Sequence, residues 1–244
     1  MPRFFVDKEY IKEDKIYIGG SDAHHIARSL RMAVGDEVTI CDGEGVEYYC
    51  TLSRIRDEEC ECSVDGKAES NREPKVFITL CMAYPKGDKL EVVIQKAVEL
   101  GASRIIPFES SRCIKRPKAE KIDKQLQRLA KIAEEAAKQC GRARIPEITA
   151  PMSYRDMLAE STRSDLTLFC YEDESKTSIK QALIGKNPDT ITVIVGSEGG
   201  FSAEEAEEAK KAGATAISLG KRILRCETAP SFALSAIAYE LELS

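Results

Sequence analysis

The chain of 244 residues lacks any long run of apolar residues. No stretch approaches the length of about 18 apolar residues that a transmembrane helix requires, so we expect no membrane-spanning segment. The first apolar run, FFV, is followed at once by charged residues and is too short for the hydrophobic core of a secretory signal peptide. These absences predict a cytoplasmic protein.

The chain also lacks an excess of positive charge. It carries 36 lysine and arginine residues against 41 aspartate and glutamate residues, for a formal net charge of -5. No overall basic field therefore indicates nucleic acid. The average conceals a gradient, since residues 1–70 carry 9 basic and 16 acidic side chains whereas residues 101–150 carry 12 and 6. An anionic partner would meet the middle of the chain.

The cysteines do not form the patterns of a disulfide framework or a zinc site. The nine cysteines are odd in number, scattered, and mostly set in apolar runs, which is typical of reduced thiols. Cys60 and Cys62 form a C-x-C pair without histidine, and alternation on one strand face explains that pair more simply than zinc does. We expect no metal.

Two kinds of hydrophobic pattern divide the chain. Residues 1–70 hold short alternating segments such as KIYIG, EVTIC and ECECSV between turn residues, which predicts a small β-rich domain. One helical segment, SDAHHIARSLR, interrupts them, with Ser21 or Asp22 expected to cap it. The polar, aperiodic stretch at residues 65–75 marks the boundary. We place the second domain at residues 74–244.

Apolar strands alternate with helices in the second domain. The strands include KVFITLCMAY, RIIPF, DLTLFCYE, TITVIVG and TAISLG, and the longest predicted helix runs from about Lys118 to Cys140. This alternation indicates an α/β fold with a mainly parallel sheet covered by helices on both faces. Because ligands bind beyond the carboxyl ends of the strands in such sheets, functional residues are expected in the strand-to-helix loops.

The loop VGSEGGFSAEE has glycines that allow close approach of a ligand to the backbone. Ser202 and Glu205 are spaced as a capping box for the next helix. The pattern matches neither the dinucleotide fingerprint of a Rossmann dehydrogenase nor a P-loop, and the carboxylate of Glu198 would repel phosphates. A tight turn with a solvated Glu198 is the plainer alternative.

A second loop, SLGKRILRCETAPS, spans residues 218–231. The three cations of KRILR precede a helix that should begin near Thr228, with that residue as its cap. Cations beside the positive end of a helix suit an anionic partner. Pairing of these cations with Glu227 and the acidic surface is an equally weighted alternative.

A basic stretch surrounds the predicted long helix. Its cations include Arg112, Lys115, Arg116, Lys118, Lys121, Lys124, Lys138, Arg142 and Arg144. Such a stripe fits contact with a phosphate backbone, although a solvated helix face gives the same pattern. Gln139, Gly141 and Arg142 place an amide, a bend and a forked donor at the helix end, which is unusual for a plain terminus.

Together these segments resemble the bacterial 16S ribosomal RNA uracil-N3 methyltransferases of the SPOUT superfamily. The likeness covers essentially the whole chain, through MPRFF, DAHHIARSLRMAVGDEV, QKAVELGASRIIP, EAAKQCGR, IVGSEGGFSAEE and LGKRILRCETA. The last two segments in combination are the most specific. Two positions depart from the family, which commonly has Pro in place of Ser197 and Ser in place of Cys140.

The resemblance implies a knotted SPOUT α/β domain with a mainly parallel sheet, a PUA-like N-terminal β-barrel domain, and a homodimer whose RNA site draws on both subunits. It implies S-adenosylmethionine as methyl donor and 16S rRNA or the small ribosomal subunit as substrate, at uridine 1498. Three loops would bind the donor through Tyr171, Glu172, Gly196, Ser197, Glu198, Gly199, Gly200, Leu219, Gly220, Arg222, Ile223 and Leu224.

Methylation of uracil N3 requires alignment of donor and acceptor, loss of the N3 proton, and stabilisation of negative charge on the flanking carbonyl oxygens. We assign the charge stabilisation to Arg225, with Arg142 second, because a guanidinium has fixed charge and a forked donor set. Glu198 or Glu227 would accept the proton, and either would need a raised pKa. RNA contacts are expected from Arg3, His25, Arg28, Arg31, Arg112, Arg116, Gln139, Arg142 and Arg225.

Two other functions stay open from the sequence. One is a related knotted methyltransferase that acts on another RNA or another atom. The other is an RNA-binding ribosome assembly factor that has kept the fold without catalysis.

Overall fold

The structure, a computed structural model, describes residues 1–114, 116–117 and 119–243. Lys115 and Lys118 of the basic stretch, and with Lys118 the predicted start of the long helix, lie outside the described residues. Within these ranges, no helix combines the length and the apolar character needed to cross a membrane.

The chain folds into two compact units. The N-terminal unit consists of Met1–Glu73 together with Ala137–Ile145, and the C-terminal unit consists of Pro74–Ala136 together with Pro146–Ser244. The N-terminal unit therefore includes a short segment from the middle of the chain, which the sequence pattern assigned to the second domain.

A curled sheet, a half-barrel, forms the N-terminal unit. Its strands are β1 (Arg3–Phe5), β2 (Lys15–Gly19), β3 (Glu37–Cys41), β4 (Val46–Ile55) and β5 (Glu59–Glu69), in the order β1-β3-β4-β5-β2. The pairings are antiparallel except that β1 lies parallel to β3. Ile16 and Ile18 of β2 share one buried core with Cys60 and Cys62 of β5, which confirms the predicted alternation of the cysteine pair.

The predicted helix of the N-terminal unit is present, but its start differs. Helix α1 (Gly20–His24) follows β2 directly and continues into a π-helical turn. Gly19 is the N-cap residue and no side chain caps the helix, so capping by Ser21 or Asp22 was wrong. Both residues lie inside the first turn, and the Asp22 carboxylate instead accepts hydrogen bonds from the Lys138 ammonium group.

A parallel sheet forms the C-terminal unit. Its strands are β6 (Phe77–Ala83), β7 (Arg104–Glu109), β8 (Glu147–Ile148), β9 (Met152–Ser153), β10 (Leu166–Cys170), β11 (Thr190–Val195) and β12 (Thr215–Ile217). The order is β12-β10-β11-β6-β7-β8, with β9 also beside β7. The pairings of these strands are parallel, which confirms the predicted sheet. Their carboxyl ends consequently lie along one edge.

Helices connect these strands. They are α2 (Lys89–Glu99), α3 (Ile122–Cys140), α4 (Tyr154–Ser161), α5 (Ile179–Leu183), α6 (Ala203–Lys211) and α7 (Thr228–Leu241). The predicted capping box of α6 is confirmed, because the Ser202 hydroxyl accepts from the Glu205 amide and the Glu205 carboxylate accepts from the Ser202 amide. The cap predicted for α7 was wrong, since Glu227 is the N-cap residue and Thr228 is already helical.

Candidate active site

Loops that follow β10, β11 and β12 enclose a cavity of about 460 Å³ in the C-terminal unit. These strands are neighbours in the parallel sheet, so their loops meet at its carboxyl edge. Every residue predicted to bind the cofactor lines this cavity except Gly199. Arg225 and Lys89 also line it.

Two glycines of the turn at residues 196–200, called here the glycine turn, have close neighbours where a side chain would begin. Gly200 has a φ of 61°, and a Cβ there would lie 2.7 Å from the Glu172 carboxylate. A Cβ at Gly199 would lie 2.9 Å from the Arg112 Cβ, and the Gly199 carbonyl accepts a hydrogen bond of 3.0 Å from the Arg112 guanidinium. Glycine is therefore required at residue 199 by packing and at residue 200 by backbone conformation.

An aromatic cluster anchors the residue that follows the turn. Phe201 is 2% exposed, and its ring centroid lies 4.3 Å from that of Phe169. The rings of Phe108 and Tyr154 lie 6.4 and 6.3 Å from it. Buried rings of this kind hold a chain segment firmly because they combine large apolar area with restricted geometry. The turn thus leaves the sheet from a fixed point.

The Glu205 carboxylate joins the start of α6 to the loop after β7. One of its oxygens accepts from the Ser202 amide at 2.9 Å, and the other accepts from the Ser111 amide at 2.7 Å. Arg112, the next residue, is bound to the Gly199 carbonyl. Two neighbouring residues of the loop after β7 therefore support the glycine turn.

The three cations of KRILR remain exposed beside the cavity. Lys221, Arg222 and Arg225 all line it. Across the described part of the chain, none of the three side chains has an ion-pair or hydrogen-bond partner. Their pairing with Glu227, the alternative drawn from the sequence, does not occur, because Glu227 pairs with Lys89.

Lys89 bridges Glu198 and Glu227, the two carboxylates of which one was predicted to act as the base. Its Nζ lies 3.0 Å from Glu198 Oε1 and 3.2 Å from Glu227 Oε2. These hydrogen bonds, with Glu198 first, raise the pKa of Lys89. Burial acts to raise the pKa of Glu198, but hydrogen bonds from Lys89 and the Lys86 amide outweigh it and lower the pKa. The pKa of Glu227 is lowered first by its own backbone amide and then by Cys226 and Lys89.

Both carboxylates are therefore held in the ionised form, opposite to the raised pKa that an efficient base needs. Their role as base stays a prediction. Lys89 itself was not predicted from the sequence to belong to the site. It opens α2 directly after the loop that follows β6, and the strand-to-helix position was the available signal.

Arg142 belongs to the N-terminal unit, and Glu73 is its partner. The Nε and Nη2 atoms of Arg142 lie 3.1 and 2.8 Å from Glu73 Oε2, and the Arg142 side chain is 5% exposed. The amides of Ala143 and Arg144 donate to the other oxygen of Glu73. Through Glu73, Arg142 therefore joins residues 142–144 to the end of the first segment of the N-terminal unit. Its assignment as a second catalytic arginine stays a prediction.

The predicted RNA-contact residues differ in exposure and in whether their side chains already have a partner. Arg3 is buried in an ion pair of 3.0 Å with Glu47, both side chains being 8% exposed, so its guanidinium is already bound. Arg28 is exposed and paired with Asp57. Others are exposed, namely His25, Arg31, Arg112, Arg116 and Gln139, and of these Arg112 is bound to the Gly199 carbonyl and Arg116 lies 3.8 Å from Glu109. Their contacts with RNA stay predictions.

Comparison with known proteins places this site in a family. A model described as the RNA methyltransferase domain matches residues 71–238, and one described as the RNA methyltransferase PUA domain matches residues 18–65. The chain is 36% identical to ribosomal RNA small subunit methyltransferase E of Bacillus subtilis (strain 168), over 100% of this chain and 98% of that protein. The chain belongs to the ribosomal RNA small subunit methyltransferase E family.

Other members of the methyltransferase E family are similar to this chain over almost its whole length. The protein of Mesomycoplasma hyopneumoniae (strain 232) is 34% identical over 96% of this chain and 98% of its own length. The crystal structure of the Neisseria gonorrhoeae methyltransferase E bound to S-adenosyl methionine superimposes with a TM-score of 0.88 at 29% identity, covering 99% of this chain and 98% of that one. The chain described here is therefore an RNA methyltransferase that uses S-adenosylmethionine and carries a PUA domain.

The residues that line the cavity fit S-adenosylmethionine. A volume of about 460 Å³ suits a small ligand, and the glycine turn allows it to contact the backbone. The walls combine apolar side chains such as Leu219 and Leu224 with the Glu198 carboxylate, which suits an adenosine joined to a cationic sulfonium. Ser197 contributes a buried hydroxyl that has no hydrogen-bond partner among the described residues. One polar group of the wall is thus left for a ligand.

Proposed function

We propose that this methyltransferase modifies N3 of a uridine in 16S rRNA, at position 1498 by the family resemblance. The observation that carries the proposal is Arg225, which lines the donor cavity and is exposed without an ion-pair partner in the described chain. A fixed positive charge at that place is what the anion formed from uracil requires.

The loops of the cavity hold the donor. Tyr171 and Glu172, the turn Gly196–Gly200 and the segment Leu219–Leu224 are the predicted donor-binding residues, and all but Gly199 line it. When bound, S-adenosylmethionine supplies an electrophilic methyl group on a positively charged sulfur. Glu198 contributes a carboxylate to the wall, which favours such a cation.

Arg225 acts on the acceptor. Its guanidinium donates to a carbonyl oxygen next to N3, where negative charge accumulates when the N3 proton leaves. This interaction also makes the N3–H group more acidic. Glu198 or Glu227 then accepts the proton, and a weak carboxylate base is sufficient only because alignment and the charge of Arg225 lower most of the barrier.

We also propose that the protein works as a homodimer. Helix α7 has no charged residue from Thr228 to Tyr239, yet Phe232 and Tyr239 on it are 41% and 72% exposed. An exposed apolar helix face of this kind supports burial against a second copy of the chain. The family resemblance adds the knotted SPOUT connection and an RNA site that draws on both subunits.

The same proposal sets the substrate and the compartment. Exposed cations such as Arg112, Arg116 and Arg222 would contact the phosphate backbone of 16S rRNA or of the small ribosomal subunit. Each of the nine cysteines is a free thiol, which is compatible with the reducing cytoplasm in which ribosomes assemble.

One experiment tests the proposal directly. The protein is incubated with methyl-labelled S-adenosylmethionine and small ribosomal subunits that lack the modification, and the labelled base is then mapped. The expected product is a single 3-methyluridine, formed by the wild type and strongly reduced by Arg225→Ala. A label on another base would transfer the activity to a different RNA target. Donor binding without any labelled RNA would favour the non-catalytic assembly factor.

A further inference from the structure

Lys89 occupies a position that is unfavourable for its own helix. It is the first residue of α2, where the helix macrodipole is positive and a cation is destabilising. The carboxylates that pair with Lys89 come from elsewhere, since Glu198 lies in the turn after β11 and Glu227 is the N-cap residue of α7. A local rule broken in this way commonly marks a residue kept for function.

The contacts of Lys89 connect three loops at the donor cavity. Its ammonium group lies 3.0 Å from the Glu198 carboxylate and 3.2 Å from the Glu227 carboxylate. The Lys86 amide, in the loop that leads into α2, donates to both oxygens of Glu198 at 3.1 and 3.2 Å. The loop after β6, the glycine turn and the start of α7 are thereby held together.

We propose that Lys89 is a positioning residue of the donor site, which fixes the glycine turn and the start of α7 in the arrangement that binds S-adenosylmethionine. The inference deepens the proposed function and rests on it where Arg225 is concerned, because Arg225 lies two residues before Glu227. Lys89 itself need not touch the reacting atoms.

The charges around Lys89 explain why a cation is needed there. Glu198 and Glu227 face it from two different loops, and the Cys226 sulfur lies 3.8 Å from its Nζ. The Cys226 thiol donates to Glu227 at 3.2 Å, so it adds a hydrogen bond and no charge. Without the ammonium group, two carboxylates that now share one counter-ion would repel each other and separate the loops.

Positioning and simple charge predict different ligand behaviour. Loss of the ammonium group makes the cavity wall more negative, which by charge alone would favour cationic S-adenosylmethionine and leave the neutral thioether S-adenosylhomocysteine unaffected. If Lys89 instead holds the loops, its loss weakens both ligands, because both need the same turn.

The test is calorimetric titration of the full-length protein with each of the two ligands. We expect Lys89→Met to weaken binding of both by a similar factor of about tenfold or more, since small displacements of a site have effects of that order. Lys89→Arg should restore most of the affinity because it keeps a cation between the carboxylates. Lys89→Met combined with Glu227→Gln should recover part of it, since the repulsion is then relieved.

Lys96→Met is the matched control, because Lys96 lies on the same helix and pairs only with Glu99 among the described residues, at a separation of three residues. Affinities of Lys89→Met equal to those of Lys96→Met, or a change confined to one of the two ligands, would overturn the proposal. If Lys89→Met does not fold, the affinities of Lys89→Arg and of the double variant are compared with those of Lys96→Met instead. No RNA is present, so a wrong assignment of the methylated base leaves these titrations unaffected.

Discussion

Replacement of Glu205 by glutamine tests how the glycine turn is supported. The two oxygens of the Glu205 carboxylate accept from two different backbone amides, those of Ser202 and Ser111. Glu205 is only 7% exposed. Glutamine has the same shape but a single acceptor oxygen, so its amino group must face one of the two amide donors.

The loss of folding stability expected for Glu205→Gln follows from these contacts. One buried amide is left without an acceptor, which costs about 1–3 kcal/mol, and the remaining charged hydrogen bond becomes neutral at a further cost of about 1 kcal/mol. Glu204→Gln removes the same charge from the same helix end, so the macrodipole contribution is lost in both variants and cancels in the comparison, and water can replace the other contacts of the exposed Glu204 carboxylate. Glu205→Gln should therefore be less stable than Glu204→Gln by about 2–4 kcal/mol.

Thermal unfolding followed by circular dichroism measures the difference. For a domain of this size about 1 kcal/mol corresponds to roughly 2–4 °C, so the Tm of Glu205→Gln should lie about 5–15 °C below that of Glu204→Gln. The affinity for S-adenosylmethionine should fall with it, because Glu205 supports the turn. Equal Tm values for the two variants would refute the two-amide account.

Three further outcomes are expected. Gly199→Ala should weaken S-adenosylmethionine binding about tenfold or more in a calorimetric titration, because its Cβ would lie 2.9 Å from the Arg112 Cβ and 3.1 Å from the Arg112 carbonyl oxygen; unchanged affinity would contradict this. Arg225→Ala should lower kcat about 10²–10³-fold in a methylation assay with little change in Tm, and a comparable loss of Tm would instead indicate a structural role. Burial acts to raise the pKa of Glu47, but side-chain hydrogen bonds and the charge of Arg3 lower it below the ordinary 4.5, so its stabilisation is complete above that pH and is lost as the pH falls through the lowered value. Glu47→Gln should flatten this acid limb in unfolding titrations, and an unaltered limb would exclude Glu47 as its source.

Features set by neighbouring residues could be predicted from the sequence. The Ser202–Glu205 capping box depends on a spacing of three residues, and the parallel strands are continuous apolar runs, so both were found. The caps at Ser21 and Thr228 were wrong because the N-cap residue of α1 is Gly19, two positions before Ser21, and that of α7 is Glu227, one position before Thr228. Helix ends depend on the backbone of the preceding segment as much as on the capping side chain.

Features set by distant contacts could not be predicted. Lys89 finds its partners at Glu198 and Glu227, far along the chain, and no periodicity or local spacing carries that information. Arg112 counted as one cation of a basic stripe, yet it binds the carbonyl of Gly199. Two loops of the cavity, VGSEGGFSAEE and SLGKRILRCETAPS, were identified from their residues, whereas the loop at Tyr171 and Glu172 was identified only through the family resemblance.

The N-terminal unit is assembled from two separate pieces of the chain, Met1–Glu73 and Ala137–Ile145. The second piece supplies Arg142 to Glu73 and Lys138 to Asp22. A gene fragment that stops at residue 73 would encode a domain with these two carboxylates deprived of their partners, and a synthetic peptide of residues 137–145 should complement it. Recombination between relatives is constrained in the same way: the PUA domain can be exchanged intact only when the end of α3, encoded more than sixty codons downstream, is exchanged with it.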